Sequence, residues 1–293
     1  MKPFSTVLLA VLFSVIAAYT TVKMVPTSSA PFATETKKEN LFDRIKRTKT
    51  LRCGYISWSK SYFAKDPNTG KFGGIGYDMA EAAAKVLGIK IEWTEEVGVG
   101  TMYEGMNTGR YDAICTPVWL DATVAANGTV TIPAYYSPVH AYARGDDARF
   151  TENDPEAVAK INNKDIRVVD VDGTNGVEIH KNRYPNANLM LMPGTMSGAE
   201  IIQQVAMNKA DITQQNPAYV EDFLKANPGA LKRVTAKALN VYPSALFILP
   251  PDEFQAKLLI DQAVISMINI GTVETILDKF DPEHKTFIRP QTP

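Results

Sequence analysis

Cysteine is almost absent, with 2 in 293 residues. That is too few for a disulfide scaffold, and Cys53 and Cys115 lack the spacing of a metal site. Histidine is nearly as sparse: His140, His180 and His284 share no motif, so no metal centre is expected. Neither charge is in excess, since 31 Lys and Arg stand against 32 Asp and Glu. This excludes a basic face for nucleic acid and an acidic tail for a basic partner. No Ser-His-Asp arrangement, no carboxylate pair in a shared motif and no lysine in a nucleophile setting can be assembled, so no catalytic residues are assigned. The glycine-rich run Gly70-Lys71-Phe72-Gly73-Gly74-Ile75-Gly76 lacks the Gly-Lys-Ser/Thr of a phosphate loop and the third glycine of a dinucleotide fingerprint. It reads as a hairpin leading into a helix, and no cofactor is expected.

Long apolar runs are missing too, except at the start. After Met1-Lys2, residues 3–22 carry no charge, and Lys23 closes the run. Residues 1–25 therefore read as a signal peptide or, if uncleaved, an N-terminal membrane anchor, about 20 residues being enough to span. No cysteine follows to carry a lipid. Residues 26–40, rich in Pro, Ser, Thr and Lys, read as a linker.

What the chain does contain is alternation. The pattern predicts a helix over 41–48, strand 51–55, helix 78–87 capped by Gly88, strand 89–95, helix 101–108 and strand 111–116. A turn is predicted at Asp66-Pro67-Asn68-Thr69-Gly70. Strands alternating with helices imply α/β architecture with a mostly parallel sheet. An echo follows. Gly100-Thr101-Met102, a helix, Asn107 and a strand from Asp112 are answered by Gly194-Thr195-Met196, a helix, Asn208 and a strand from Asp211. Residues 166–171 (IRVVDV) look like a second copy of the opening strand. The pattern describes two similar lobes facing a crevice, or α/β units that merely resemble one another.

Strand ends are where a parallel sheet leaves its ligand crevice. Thr116 and Pro117 stop one strand, and Trp119 follows; Trp58 follows another strand end. Cys53 and Cys115 fall at corresponding points of two strands expected to be neighbours. Two readings are open: a disulfide formed in an oxidising compartment, or two buried thiols.

Four motifs in order, Leu51-Arg52-Cys53-Gly54-Tyr55, Gly74-Ile75-Gly76-Tyr77-Asp78-Met79, Asn107-Thr108-Gly109-Arg110-Tyr111-Asp112-Ala113-Ile114 and Ile132-Pro133-Ala134-Tyr135-Tyr136, give the chain a family likeness. It resembles the extracellular solute-binding proteins of family 3, periplasmic receptors of polar amino-acid ABC transporters. The resemblance implies a two-lobed type II periplasmic-binding fold with a two-crossing hinge. Lobe 1 would be 41–142 plus 243–293, and lobe 2 would be 143–242. It implies a small-molecule ligand, an inner-membrane ABC permease as partner, a periplasmic location and a monomer. The ligand positions it implies are Trp58, Thr116, Trp119, the loop Gly173, Thr174, Asn175 and Gly176, whose N–H groups would hold an anion at a helix start, and Asn216. Two positions depart from the family. Its arginine for a ligand α-carboxylate falls on Val124, and its acidic residue for the α-ammonium falls on Asn216. A less zwitterionic or more apolar ligand is expected. The rival expectations are a dehydratase-like enzyme using Asp121 or Asp172, and a membrane-anchored sensor or scaffold without a transport role.

Overall fold

The computed structural model describes residues 39–290. The expected signal or anchor, and all but the last two residues of the expected linker, lie outside the described residues. The first helix, Leu41–Thr48, forms where the sequence places it. The Asn40 side chain accepts from the Asp43 N–H at 2.8 Å, and Lys49 ends the helix in the left-handed conformation. Helix Ile75–Leu87 starts three residues before the sequence pattern predicts. The Gly74 backbone turn at φ +105° lets Asp78 N–H reach back to Gly74, and Gly88 closes the helix as expected.

The strands in chain order are β1 Thr50–Tyr55, β2 Ala64–Lys65, β3 Phe72–Gly73, β4 Lys90–Glu96 and β5 Ala113–Ile114. They continue with β6 Val118–Trp119, β7 Thr129–Val130, β8 Pro133–Arg144, β9 Arg167–Val171 and β10 Asn188–Met192. The last are β11 Ile212–Gln215, β12 Leu231–Arg233, β13 Asn240–Ala245 and β14 Ile248–Leu249. One sheet runs β4-β1-β5-β14-β7, and the other runs β10-β9-β11-β8-β13-β6 with β12 on β8. In each, the first three strands are parallel and the next is antiparallel. The glycine-rich run supplies β3, the second strand of the β2–β3 hairpin, and leads into helix Ile75–Leu87.

The echo in sequence is therefore an echo in structure, and its cause is visible. Asp112 opens the β5 segment, donates its N–H to Arg52 O at 2.8 Å and accepts from the Arg52 N–H at 2.7 Å. Its buried carboxylate also holds the Arg52 guanidinium. Asp211 repeats every part of this with Arg167, at 2.8 Å for both backbone contacts. In both halves an aspartate pins the start of the third strand to the start of the first, which sets the register of everything downstream.

Cys53 and Cys115 are joined in a disulfide, with Cα atoms 5.5 Å apart. The expected difficulty of bridging parallel neighbours is avoided by stagger. Cys53 pairs with Ala113, and Cys115 lies two residues on, on the same face and just beyond the strand. The chain touches the second sheet briefly at β6, returns to the first with β7, enters the second again with β8, leaves it with β13 and returns with β14. The long strands β8 and β13 pair side by side where the chain passes between the sheets. Among the described residues no single helix is long and apolar enough to cross a membrane.

Candidate functional site

Both sheets place three parallel strands in the order second, first, third, so each has a switch point between its first and third strands. Ligands in open α/β sheets bind beyond the carboxyl ends at such points. Here a cavity of about 140 Å³ is lined from both at once.

The first wall comes from the ends of β1 and β5. Ile56 N–H donates to Thr116 Oγ1 at 2.8 Å, which stitches the two strand ends together below the cavity. Trp119, on β6, lies between two phenols. Its ring stacks on Tyr242 at 5.3 Å and on Tyr219 at 6.2 Å, with interplanar angles of 3° and 14°. Asp121 lines the wall and caps helix Ala122–Asn127 by accepting from Val124 N–H at 2.8 Å. Val124 is buried there among Ile56, Met102 and Ile114, so the position where the family resemblance expects an arginine is apolar cavity wall. Tyr103 completes this side; its hydroxyl has no partner, and burial pushes its pKa up to about 12.

The second wall comes from the ends of β9 and β11. Gly173, Thr174, Asn175 and Gly176 lead into helix Asn175–Arg183 and line the cavity. The anion expected at this helix start is supplied by the chain itself. The Asp170 carboxylate accepts from Thr174 Oγ1 at 2.8 Å and from Val171 N–H at 2.8 Å. It lies so close to Gly176 that a Cβ there would fall 1.6 Å from a carboxylate oxygen. Only glycine leaves room for it. Burial raises the Asp170 pKa to about 6, against the lowering effect of those two hydrogen bonds.

Gln214 completes this corner. Its Nε2 donates to Asp170 Oδ2 at 3.1 Å and to Gly176 O at 3.2 Å. Two acceptors on one side fix the amide orientation, so Oε1 faces the other way, buried and without a partner. Trp119 Nε1 is likewise buried and meets no partner among the described residues, whereas the Asn175 side chain interacts with the Tyr242 hydroxyl.

The structure thus brings Trp58, Thr116, Trp119 and residues 173–176 around one cavity. Asn216 does not join them. It is fully buried; its Nδ2 donates to Pro138 O and Thr286 O at 3.0 and 3.3 Å, while Oδ1 caps helix Pro217–Ala226. Asn216 stands just past the strand end and is taken up as the N-cap of the next helix, while Gln214 and Gln215 line the cavity. Asp172 is exposed and outside the lining, so of the two carboxylates named for acid–base work only Asp121 is there. Asp170, Gln214 and Tyr219 were not singled out by sequence reasoning. The polar strand end Gln214-Gln215 was the available signal for one of them.

Contacts also run across the crevice. Ser61 N–H and Oγ both reach Asp222 Oδ2, at 2.7 and 2.5 Å. The Trp58 ring meets Tyr219 at 5.7 Å, and its indole nitrogen lies against Gly198, where a Cβ would sit 2.5 Å away. The two echoed glycines meet as well, a Cβ on Gly194 falling 3.4 Å from the Gly100 backbone.

A family model for bacterial extracellular solute-binding proteins, family 3, matches residues 51–282. The chain belongs to that family. No curated protein matches this solute-binding protein. Solved structures share its fold. An ancestral amino acid-binding protein described as a precursor of cyclohexadienyl dehydratase has a TM-score of 0.70 at 21% identity, over 83% of this chain and 99% of that one. A binding component of an ABC transporter from Wolinella succinogenes, complexed with lysine, has a TM-score of 0.69 at 16% identity, over 81% and 98%. A histidine kinase sensor domain similar to periplasmic binding proteins has a TM-score of 0.69 at 17% identity, over 84% and 100%.

Proposed function

We propose that this is an exported, monomeric receptor that captures a small molecule, an amino acid or amino-acid-like compound, and delivers it to an ABC permease in the inner membrane. Residues 41–142 with 243–293 and residues 143–242 would be the two closing bodies, with β8 and β13 as the hinge. The observation that carries this reading is the single cavity built from both switch points, with aromatic faces on one side and a polar strand end on the other. Trp58, Thr116, Trp119 and the 173–176 loop would contact the ligand. The lysine-bound transporter component and the amino acid-binding ancestor support the transport reading by similarity of fold. Thermal denaturation of the purified protein against a library of small polar and apolar solutes tests it. At least one solute should raise the melting temperature in a saturable way, and a library without any such solute removes the reading.

One observation favours a second reading, an enzyme on the same fold. Asp170 is a buried carboxyl at the cavity with a pKa of about 6, in the range a general acid uses. Turnover of a candidate substrate that survives Asp170→Asn unchanged would eliminate it. N-terminal sequencing of the exported protein separates a cleaved receptor from an anchored sensor.

A further inference from the structure

The charge census of the cavity is lopsided. Asp121 and Asp170 line it, and no lysine, arginine or histidine does. A ligand carboxylate therefore has no cation to pair with. The helix start that would otherwise attract an anion already holds the Asp170 carboxylate, so a second anion there would face like charge at close range. The unmet acceptor on the same wall points the other way. Gln214 is 4% exposed, and its unpartnered Oε1 needs a hydrogen-bond donor from the ligand. The Trp119 and Tyr219 rings also line the cavity, but they are stacked on one another and Trp119 on Tyr242, so they offer aromatic wall for the body of a ligand rather than a free face for its charge.

Taking the cavity as the solute site proposed above, we infer that it selects a small organic amine in its protonated form, without a carboxylate. Asp170 and Gln214 Oε1 receive the ammonium, and Trp119, Tyr219 and Val124 with its apolar neighbours pack the body of the molecule. The buried donor Trp119 Nε1 is satisfied by an uncharged ligand oxygen, such as a hydroxyl, which adds no charge.

Matched sets of probes isolate the charge requirement. Tyramine, tyrosine, 3-(4-hydroxyphenyl)propionate and the corresponding neutral alcohol share one body and differ only in the ammonium and carboxylate. Equivalent sets can be built on smaller aliphatic bodies. In calorimetry at pH 7.5 and low salt, the amine of at least one set should bind tenfold or more tightly than its amino acid, its acid and its alcohol. Asp170→Asn should remove that preference while circular dichroism stays native. If an amino acid, an acid or an alcohol binds as tightly as its matched amine, the inference is overturned and the receptor reading stands. An amine preference that persists in folded Asp170→Asn also overturns it. If no solute of any class binds, the receptor reading itself falls and the inference with it.

Discussion

Asp170 is the residue whose chemistry departs furthest from its surroundings. Its pKa is raised by burial to about 6, above the unfolded value near 3.9, so the folded protein holds a proton that the unfolded chain has lost between those values. That contribution to stability is complete below about pH 4 and disappears as pH rises through 6. Two pKa units correspond to about 3 kcal/mol. Asparagine cannot ionise, so Asp170→Asn should gain on wild type by up to about 3 kcal/mol between pH 4 and pH 7, as read by urea unfolding at each pH. A difference that stays flat across that interval would show that Asp170 titrates normally. Asp211 behaves in the opposite sense. Burial works against its charge, but hydrogen bonds from Arg167 and Arg149 hold its pKa down at about 2. Its stabilisation is present above pH 4 and is lost only as pH falls toward 2.

Among elements, the β1–β5 pair has the heaviest reinforcement. An aspartate–arginine clamp holds one end, a disulfide the middle and the Thr116 hydroxyl the other end. The disulfide closes a loop of 62 residues. In the loop-entropy picture such a closure stabilises by about 4 kcal/mol. The Cys53→Ala, Cys115→Ala double variant should unfold at a correspondingly lower denaturant midpoint, and an unchanged midpoint would mean that the reduced chain remains equally constrained. These elements were legible in sequence because their signals are local. Gly88 ends its helix, and apolar runs bounded by Asp and Pro read as buried strands. The glycine-rich run lacks the Gly-Lys-Ser/Thr of a phosphate loop, and it supplies the second strand of a hairpin that leads into a helix. The pairing of the cysteines could not be decided, since it depends on a two-residue stagger that only register reveals. Asn216 differs for another reason: it caps the helix that follows the strand, and an asparagine before Pro217 serves a cap as well as it serves a ligand. Asp170, inside an apolar run, gave no outward sign that a glycine six residues later makes room for it.

At the scale of the whole molecule, polar groups and shape both act across the crevice. The Ser61–Asp222 contact is the clearest of them, and the Trp58–Tyr219 and Gly100–Gly194 contacts are matters of fit. A hydrogen bond to a charged group is worth about 1.5–3 kcal/mol. Removing it with Asp222→Ala should favour the open arrangement, enlarge the radius of gyration of the ligand-free protein in small-angle scattering and weaken ligand binding by about tenfold or more. Unchanged scattering and affinity would mean that shape complementarity alone holds the halves closed. The placement of the three tryptophans has a practical consequence for such measurements. Trp58 and Trp119 line the cavity, whereas Trp93 packs away from it among Tyr55, Phe63, Phe72 and Tyr77, with its indole N–H on Glu81. Intrinsic emission is therefore a built-in optical gauge of occupancy: two chromophores report on the site, and the third serves as an internal reference.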